Sequence, residues 1–226
     1  MTTLHYSFIV TTLLATLLAC TDPNRVVEQR EALGNQVDPN AQTFVFECGD
    51  DFSFTARVEE QNAWLFLRRD TLQLAEVAAA SGMKFADKEH TFWMKGEEAM
   101  LITPGRTHKD CKNNHRKAIW EHAKLNGVDF RAVGNEPGWV LEISNQADIL
   151  FITNYGQSRH AFASTNVSSA TQGLTTMYEA RNDQDRIEIK LTATRCGDTM
   201  SDEKFPVTVN VLLNQKEFNG CGRALH

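Results

Sequence analysis

The 226-residue chain lacks the features that assign a protein to several common functional classes. It has no basic excess, because 29 Asp and Glu outnumber 23 Lys and Arg, and the formal net charge is −6. This balance argues against a nucleic-acid binder and favours a cationic partner. No Gly-x-Ser-x-Gly elbow, P-loop or GxGxxG fingerprint is present, and carboxylate pairs such as Glu59-Glu60 are adjacent in sequence, as on solvated faces. The composition is that of a globular protein, and nothing in it requires an enzyme or a cofactor.

Long hydrophobic runs are also absent, with one exception at the beginning of the chain. Residues 1–19 contain no Lys, Arg, Asp or Glu, and the apolar run over residues 8–19 is shorter than the roughly 20 residues that a membrane span needs. Such a run is typical of a secretory signal. It ends at Cys20 in the tetrapeptide LLAC, which resembles the lipobox of bacterial lipoproteins. The sequence therefore predicts a signal peptide over residues 1–19, acylation of Cys20 and a tether over residues 20–41. A signal that merely ends near a cysteine is the alternative.

Cysteine is scarce, with five in the chain, and removing the lipid-anchor candidate leaves an even number. An exported protein lies in an oxidising compartment, so Cys48, Cys111, Cys196 and Cys221 predict two disulfides. Three pairings are possible. We favour Cys48–Cys111 and Cys196–Cys221, because the chain divides between Cys111 and Cys196 and each bond then closes a loop within its own domain. In the chain-entropy model these loops stabilise by about 4 and 3.5 kcal/mol.

Alternating apolar and polar residues predict strands in both halves of the chain. Between residues 44 and 67 the alternation is broken by short turns, which is typical of an antiparallel meander or small barrel. A helical pattern follows, with Asn113-Asn114 as its cap and Asn126-Gly127 as its stop signal. Strand patterns resume from Phe130.

We therefore predict an all-β protein built from two small antiparallel β-barrel-like domains that a short helix joins. The predicted boundaries are residues 42–113 for the first domain, 114–127 for the helix and 128–226 for the second domain.

The most informative residues lie between positions 80 and 99. The chain reads SGMKF over residues 81–85 and TFWMKGEEA over residues 91–99, with Phe46-Glu47-Cys48 upstream and Cys111 downstream. In order and spacing these motifs resemble MliC, a family of lipoprotein inhibitors of C-type lysozyme. The resemblance covers about residues 42–113. Phe46 and Phe85 stand where tyrosine is common in the family.

The resemblance implies a barrel closed by one disulfide, with two loops that enter the catalytic cleft of lysozyme. The family's serine and lysine correspond to Ser81 and Lys95, and the neighbouring Gly82 and Gly96 let the backbone approach closely. Lys84 either pairs with lysozyme or keeps the loop soluble. An ammonium group on a long stem is suited to neutralise the two carboxyl groups of a lysozyme-type glycosidase. Without the surrounding motif, a Ser-Gly pair usually indicates only a turn, and an exposed lysine is usually only solvated.

Two further sequence patterns are weaker indications of function. His108, Cys111, His115 and His122 cluster in sequence, but their spacing matches no zinc template and we expect no metal site. The second half carries GNEPGW over residues 134–139 and CGDTMSD over residues 196–202, and it resembles an uncharacterised bacterial envelope family that provides no activity. We interpret residues 134–137 as a turn that enters a strand, with a ligand-facing loop as the alternative.

Together the sequence predicts a lipid-anchored protein of the cell envelope that faces the periplasm and inhibits C-type lysozyme. Asp22 does not directly follow Cys20, so no signal for retention in the inner membrane is evident. We therefore favour attachment to the outer membrane. One alternative is a non-inhibitory binding lipoprotein that recognises a cell-wall fragment or another envelope protein. A second is an enzyme that acts through the second domain, for which no nucleophile and base pair is visible. The sequence makes no prediction of the oligomeric state.

Overall fold

A computed structural model describes residues 40–144, 147–198 and 200–226. The predicted signal peptide, the lipidation site Cys20 and all but the last two residues of the predicted tether lie outside these ranges. Within them the chain is almost entirely β-structure, and one α-helix separates two sheets. No helix in this part of the chain has the length and apolar character needed to cross a membrane. The all-β prediction with a connecting helix is confirmed.

The first sheet is a closed barrel of eight antiparallel strands in sequence order. The strands are β1 (Gln42–Glu47), β2 (Ser53–Glu59), β3 (Asn62–Phe66), β4 (Thr71–Val77), β5 (Met83–Ala86), β6 (Thr91–Lys95), β7 (Glu98–Thr103) and β8 (Arg106–Asn113). Closure comes from β1 and β8, where Phe46 lies opposite Asn113 and Glu47 opposite Lys112.

The interior of this barrel follows from the alternation of side chains along each strand. In β6, for example, Phe92 and Met94 are buried while Trp93 lies on the outer wall. Phe46 and Phe85, at the two positions where tyrosine is common in the resembled family, are fully buried, so both rings serve the core. The core rings pack with centroids 5.4 to 5.9 Å apart, in the range of favourable aromatic pairs. The Cys48–Cys111 disulfide is present, as predicted.

Helix α1 (His115–Leu125) begins and ends at the predicted signals. The Asn114 side chain accepts a hydrogen bond from the Lys117 backbone N–H at 3.2 Å, and Asn126 forms the C-cap. The helix buries Ala118, Trp120 and Ala123 and packs against β1 on one side.

A polar network joins α1 to the barrel through His122. Its Nδ1 lies 3.1 Å from Thr43 Oγ1 and its Nε2 lies 2.9 Å from Asn126 Nδ2. Because Asn126 Oδ1 accepts from Arg57 Nη1 at 2.7 Å, the Asn126 amide nitrogen donates and Nε2 must accept. The ring is therefore neutral, with Nδ1–H donating to Thr43. Burial, aided by the charge of Arg57, lowers the pKa of His122 below its ordinary value.

The second sheet has nine antiparallel strands, and two short strands form a separate ribbon. In chain order they are β9 (Val128–Asn135), β10 (Gly138–Ser144), β11 (Asp148–Thr153), β12 (Ser158–Phe162), β13 (Val167–Gln172), β14 (Thr175–Arg181), β15 (Arg186–Thr192), β16 (Cys196–Gly197), β17 (Lys204–Phe205), β18 (Val207–Leu213) and β19 (Lys216–Ala224). The ribbon is β16–β17, and the sheet order is β12-β11-β10-β9-β19-β18-β15-β14-β13.

This second sheet curls into a nearly closed barrel. Its edge strands β12 and β13 follow one another in the chain, and side chains bridge β12 to the turn between β14 and β15. His160 Nδ1 lies 2.7 Å from Asp185 Oδ2, and Asn182 Nδ2 donates to Ala161 O at 3.0 Å. The predicted Cys196–Cys221 disulfide is present and attaches the ribbon to β19.

Aromatic and cationic side chains attach α1 to the second half of the chain. Trp120 packs against Phe205 with ring centroids 5.4 Å apart, and the Arg223 guanidinium lies 4.3 Å from the Trp120 ring centroid. Both contacts lie in the range of favourable ring and cation–π interactions. The helix is thus anchored on one side to the first barrel and on the other to the second sheet.

Candidate functional site

Two predicted site segments lie side by side at one end of the first barrel. Ser81 and Gly82 precede β5, and Lys95 ends β6 and is followed by Gly96. Strands β5 and β6 are antiparallel, with Met83 opposite Met94, so the beginning of β5 and the end of β6 are adjacent. The Ser81-Gly82 loop and the turn over residues 95–97, here called the Lys95 turn, therefore meet.

Gly82 makes this close approach possible. Its φ is +70°, a backbone conformation that residues with a side chain rarely adopt. A Cβ at this position would fall within 3.0 Å of the Met94 carbonyl oxygen and 3.1 Å from the Lys95 Cβ. Only glycine lets the loop that carries Ser81 lie directly on the end of β6.

Trp93 fixes the same loop from the outer wall of the barrel. Its indole Nε1–H donates a hydrogen bond to the Ser81 carbonyl oxygen at 2.9 Å. The alternation along β6 places Trp93 on the outer wall but gives no indication of this bond. The neighbouring Phe92 is fully buried in the core.

The Lys95 side chain is exposed at the end of the barrel. In the part of the chain that the structure describes, its ammonium has no hydrogen-bond or ion-pair partner. Gly96, with a φ of +59°, has no atom within 4 Å of the place where a Cβ would lie. The turn therefore presents a free cation beside open space.

Lys84 occupies a different place from the other predicted site residues. It lies on β5, half-exposed on the outer wall of the barrel, opposite Trp93 on one side and Val77 on the other. Its side chain therefore stands beside the two loops rather than at their tips.

Glu97 ties the Lys95 turn to the beginning of α1. Its backbone carbonyl accepts from the Asn113 N–H at 2.9 Å, and its Oε2 accepts from Asn113 Nδ2 at 3.1 Å. The same Oε2 lies 2.7 Å from His115 Nε2. These contacts span 16 and 18 residues, so the sequence around Glu97 gives no local indication of them.

The four residues that cluster in sequence, His108, Cys111, His115 and His122, make separate contacts in the structure. His108 is 4% exposed, lies 2.8 Å from Asp50 Oδ2 and stacks on Phe52, while Cys111 is in a disulfide. His115 contacts Glu97, and His122 belongs to the network with Thr43. Over the described ranges, no group of three His, Cys, Asp or Glu side chains is arranged to hold a metal ion.

The opposite end of the barrel carries two adjoining cavities of about 810 and 620 Å³. Both are lined by Phe52, Leu67, Arg68 and Arg69, and the larger also by Arg106. Arg106 pairs with Asp50 at 3.1 Å. Neither Arg68 nor Arg69 has an ion-pair partner within residues 40–144, 147–198 and 200–226.

In the second half, the structure brings the two sequence motifs together. Asn135 Nδ2 donates to the Asp198 carboxylate, which also accepts from Ser201 Oγ and from the Met200 N–H. These donors lower the pKa of Asp198, with the Ser201 hydrogen bond as the largest cause. Glu136 and Pro137 form the connection between β9 and β10, which agrees with the turn interpretation.

Comparison with known proteins finds a family that matches the first barrel. Residues 46–110 match the family model described as membrane-bound lysozyme-inhibitor of c-type lysozyme, MliC. The first barrel contains an MliC-type domain. Helix α1 and the second sheet lie outside the matched residues, so the MliC-type domain is fused to a second β-structure. The resemblance that the motifs predicted is confirmed.

A curated relative supports the same assignment. The membrane-bound lysozyme inhibitor of C-type lysozyme from Yersinia enterocolitica serotype O:8 / biotype 1B (strain NCTC 13174 / 8081) is 35% identical over 66 residues. The alignment covers 29% of this chain and 56% of the relative, so the chain spans about half the length of the curated relative it matches. No solved structure shows a significant match to the chain.

Proposed function

We propose that the protein inhibits C-type lysozyme and that its MliC-type domain blocks the catalytic cleft with Ser81 and Lys95. The match to the MliC family and the name of the curated relative support a role as a lysozyme inhibitor rather than an enzyme. The observation that carries the finer proposal is the packing of Gly82 on the end of β6, which sets the Ser81 loop beside the unpaired ammonium of Lys95.

The chemistry of the target explains why a lysine and a serine suit this task. A lysozyme-type glycosidase holds two carboxyl groups on either side of the scissile bond, one protonated and one ionised. The Lys95 ammonium neutralises the ionised group, and the Ser81 hydroxyl both donates and accepts hydrogen bonds. Because the enzyme cleft excludes water when filled, the charge contact is stronger there than in solvent.

The two glycines and the second lysine complete the proposed binding face. The open space around Gly96 leaves room for the wall of the cleft, and Gly82 keeps the Ser81 loop against the end of β6. Lys84, on the outer wall, is placed to contact lysozyme outside the cleft. Lys95 is therefore the side chain whose loss weakens inhibition most.

The proposal includes attachment to the membrane. It keeps the signal peptide over residues 1–19, acylation of Cys20 and a tether over residues 20–41, with domain boundaries at residues 42–113, 114–127 and 128–226. Attachment to the outer membrane, facing the periplasm, holds an inhibitor beside the peptidoglycan that it protects.

Titration of a C-type lysozyme with the purified full chain tests the proposed function. We expect the wild-type chain to inhibit, and Lys95→Ala to weaken inhibition by at least about 30-fold, since truncating a central desolvated charge costs about 2 to 5 kcal/mol. Lys88→Ala is the matched control, because Lys88 is an exposed lysine in the turn between β5 and β6 at the other end of the barrel. A wild-type chain without inhibition, or equal losses in both variants, contradicts the proposal.

A second candidate function is the binding of an anionic cell-wall fragment. The cavities beside Arg68 and Arg69 favour it, because two unpaired guanidinium groups next to the Phe52 ring suit a carboxylate-bearing sugar. Calorimetry with a soluble muramic-acid disaccharide tests this function. Binding that Arg68→Ala abolishes while lysozyme inhibition stays unchanged supports it, and absence of binding refutes it.

A further inference from the structure

The helix that follows the barrel contacts the turn that carries Lys95, and it lies outside the residues that match the MliC model. We propose that Glu97, held by Asn113 and His115, positions the Lys95 turn for lysozyme, so that α1 contributes to inhibition without touching the enzyme's carboxyl groups. The inference rests on the function proposed above and assigns a role to a part of the chain that the family match does not cover.

Pairing of Lys95 with Glu98 closes the hairpin between β6 and β7, and Glu97 in the Lys95 turn adds contacts to residues outside the hairpin. Gly96 has a positive φ and no atom within 4 Å of the place where a Cβ would lie, and glycine is the most permissive residue of the backbone. Lys95, Gly96 and Glu97 are all exposed. A cation on such a turn loses conformational freedom on binding, and any contact that orders the turn beforehand raises affinity.

Glu97 supplies such a contact through its carboxylate. One carboxylate oxygen, Oε2, lies 3.1 Å from Asn113 Nδ2 and 2.7 Å from His115 Nε2. Asn113 is itself held, since its Oδ1 accepts from the Val45 N–H at 3.1 Å and its backbone pairs with Phe46 across the barrel seam. The carboxylate therefore bridges the turn to two donors on fixed backbone.

The helix end that provides His115 is rigidly placed. The Asn114 side chain accepts from the Lys117 backbone N–H and caps its first turn. Further along, Trp120 packs against Phe205 and beneath Arg223, both in the second half of the chain. The second sheet thus stabilises the helix from which His115 contacts the turn.

Two variants and one matched control test the inference in the full chain. His115→Ala removes the exposed contact of His115 Nε2 with Glu97 Oε2, and we expect a loss of inhibition of about twofold to fivefold, as for an exposed polar pair. Glu97→Ala removes both side-chain contacts, and we expect a loss of about fivefold to tenfold. Lys117→Ala is the control, because it removes the other exposed ion pair between α1 and the barrel, that of Lys117 with Glu47, without touching the turn, and we expect less than a twofold change. His115→Lys, which places an N–H donor near Glu97, restores potency.

Two readouts separate positioning from other roles. In a Lys95→Ala background the effect of Glu97→Ala disappears, because positioning acts only through Lys95. The NMR order parameter of the Gly96 amide falls in Glu97→Ala and stays unchanged in Lys117→Ala, and this readout needs no lysozyme.

The outcomes that overturn the inference are distinct from failure of the proposed function. An unchanged Gly96 order parameter in Glu97→Ala overturns it whatever the chain does to lysozyme. An equal loss from Glu97→Ala with and without Lys95 also overturns it, because Glu97 then contacts the enzyme directly. If the wild-type chain does not inhibit lysozyme at all, the proposed function fails and the inhibitory role of Glu97 fails with it.

Discussion

Replacing Gly82 by alanine separates the two loops of the candidate site, and Gly96 provides the matched comparison. Both glycines have positive φ, +70° and +59°, so either alanine variant carries the cost of a left-handed residue, about 1 to 2 kcal/mol. They differ in their surroundings. A Cβ on Gly96 meets nothing within 4 Å, whereas one on Gly82 collides with the Met94 carbonyl oxygen.

The collision adds a second cost for Gly82→Ala alone. The carbonyl belongs to the backbone of β6 and cannot rotate away, so β5 and β6 must move apart, which adds about 1 to 3 kcal/mol, as in an overpacked core. We expect the free energy of unfolding to fall by about 2 to 5 kcal/mol in Gly82→Ala and by about 1 to 2 kcal/mol in Gly96→Ala. Inhibition should weaken more in Gly82→Ala, because the Ser81 loop leaves Lys95.

Urea unfolding and lysozyme titration of the two variants measure both effects. Equal losses of stability in Gly82→Ala and Gly96→Ala would refute the claim that contact with β6, rather than backbone conformation alone, holds the Ser81 loop. Equal potency of the two variants, at temperatures where both are folded, would refute the functional part of the reasoning.

Three further predictions follow from the described contacts. Trp93→Phe keeps the ring but removes the donor to Ser81 O, so inhibition should weaken by about threefold to tenfold, as for one lost hydrogen bond, with little change in core packing; an unchanged titration contradicts this. Because the pKa of His122 is lower when folded, the unfolded chain binds more protons near pH 6, so stability should fall as pH drops below about 6.5. In His122→Gln, unfolding curves between pH 5 and 7 should show a weaker dependence on pH, and an identical slope excludes this residue as the source. The double variant Cys48→Ser/Cys111→Ser should lose about 4 kcal/mol in denaturant unfolding, and a loss below 1 kcal/mol contradicts the loop-closure estimate.

Local patterns were sufficient to predict the all-β class, many of the strands and the connecting helix. Alternation identified the strands around Phe46 and Phe54, and the side chains of asparagine gave both ends of α1, because capping is a local interaction. The pairing of cysteines followed from the division of the chain into two halves. These features depend on neighbours in sequence or on chain topology, which a sequence displays directly.

The contacts that hold the candidate site were not predictable in the same way. Ser81 and Lys95 were found through the resemblance to MliC, but the bond from Trp93 to the Ser81 loop depends on the register of β5 and β6. The contact of His115 with Glu97 requires the helix to begin at the seam of the barrel. The His122 network likewise joins residues 79 positions apart. Such contacts follow from tertiary packing, for which no local pattern exists.

A structure of the complex between the full chain and a C-type lysozyme tests the central claim most directly. The measurement is the distance from Lys95 Nζ to the two catalytic carboxyl groups of the enzyme. We expect an ion-pair distance, within about 4 Å of the ionised carboxylate, with the Ser81 hydroxyl within hydrogen-bond reach of the other carboxyl group. A complex in which Lys95 faces solvent and the cleft remains open to glycan would contradict the account.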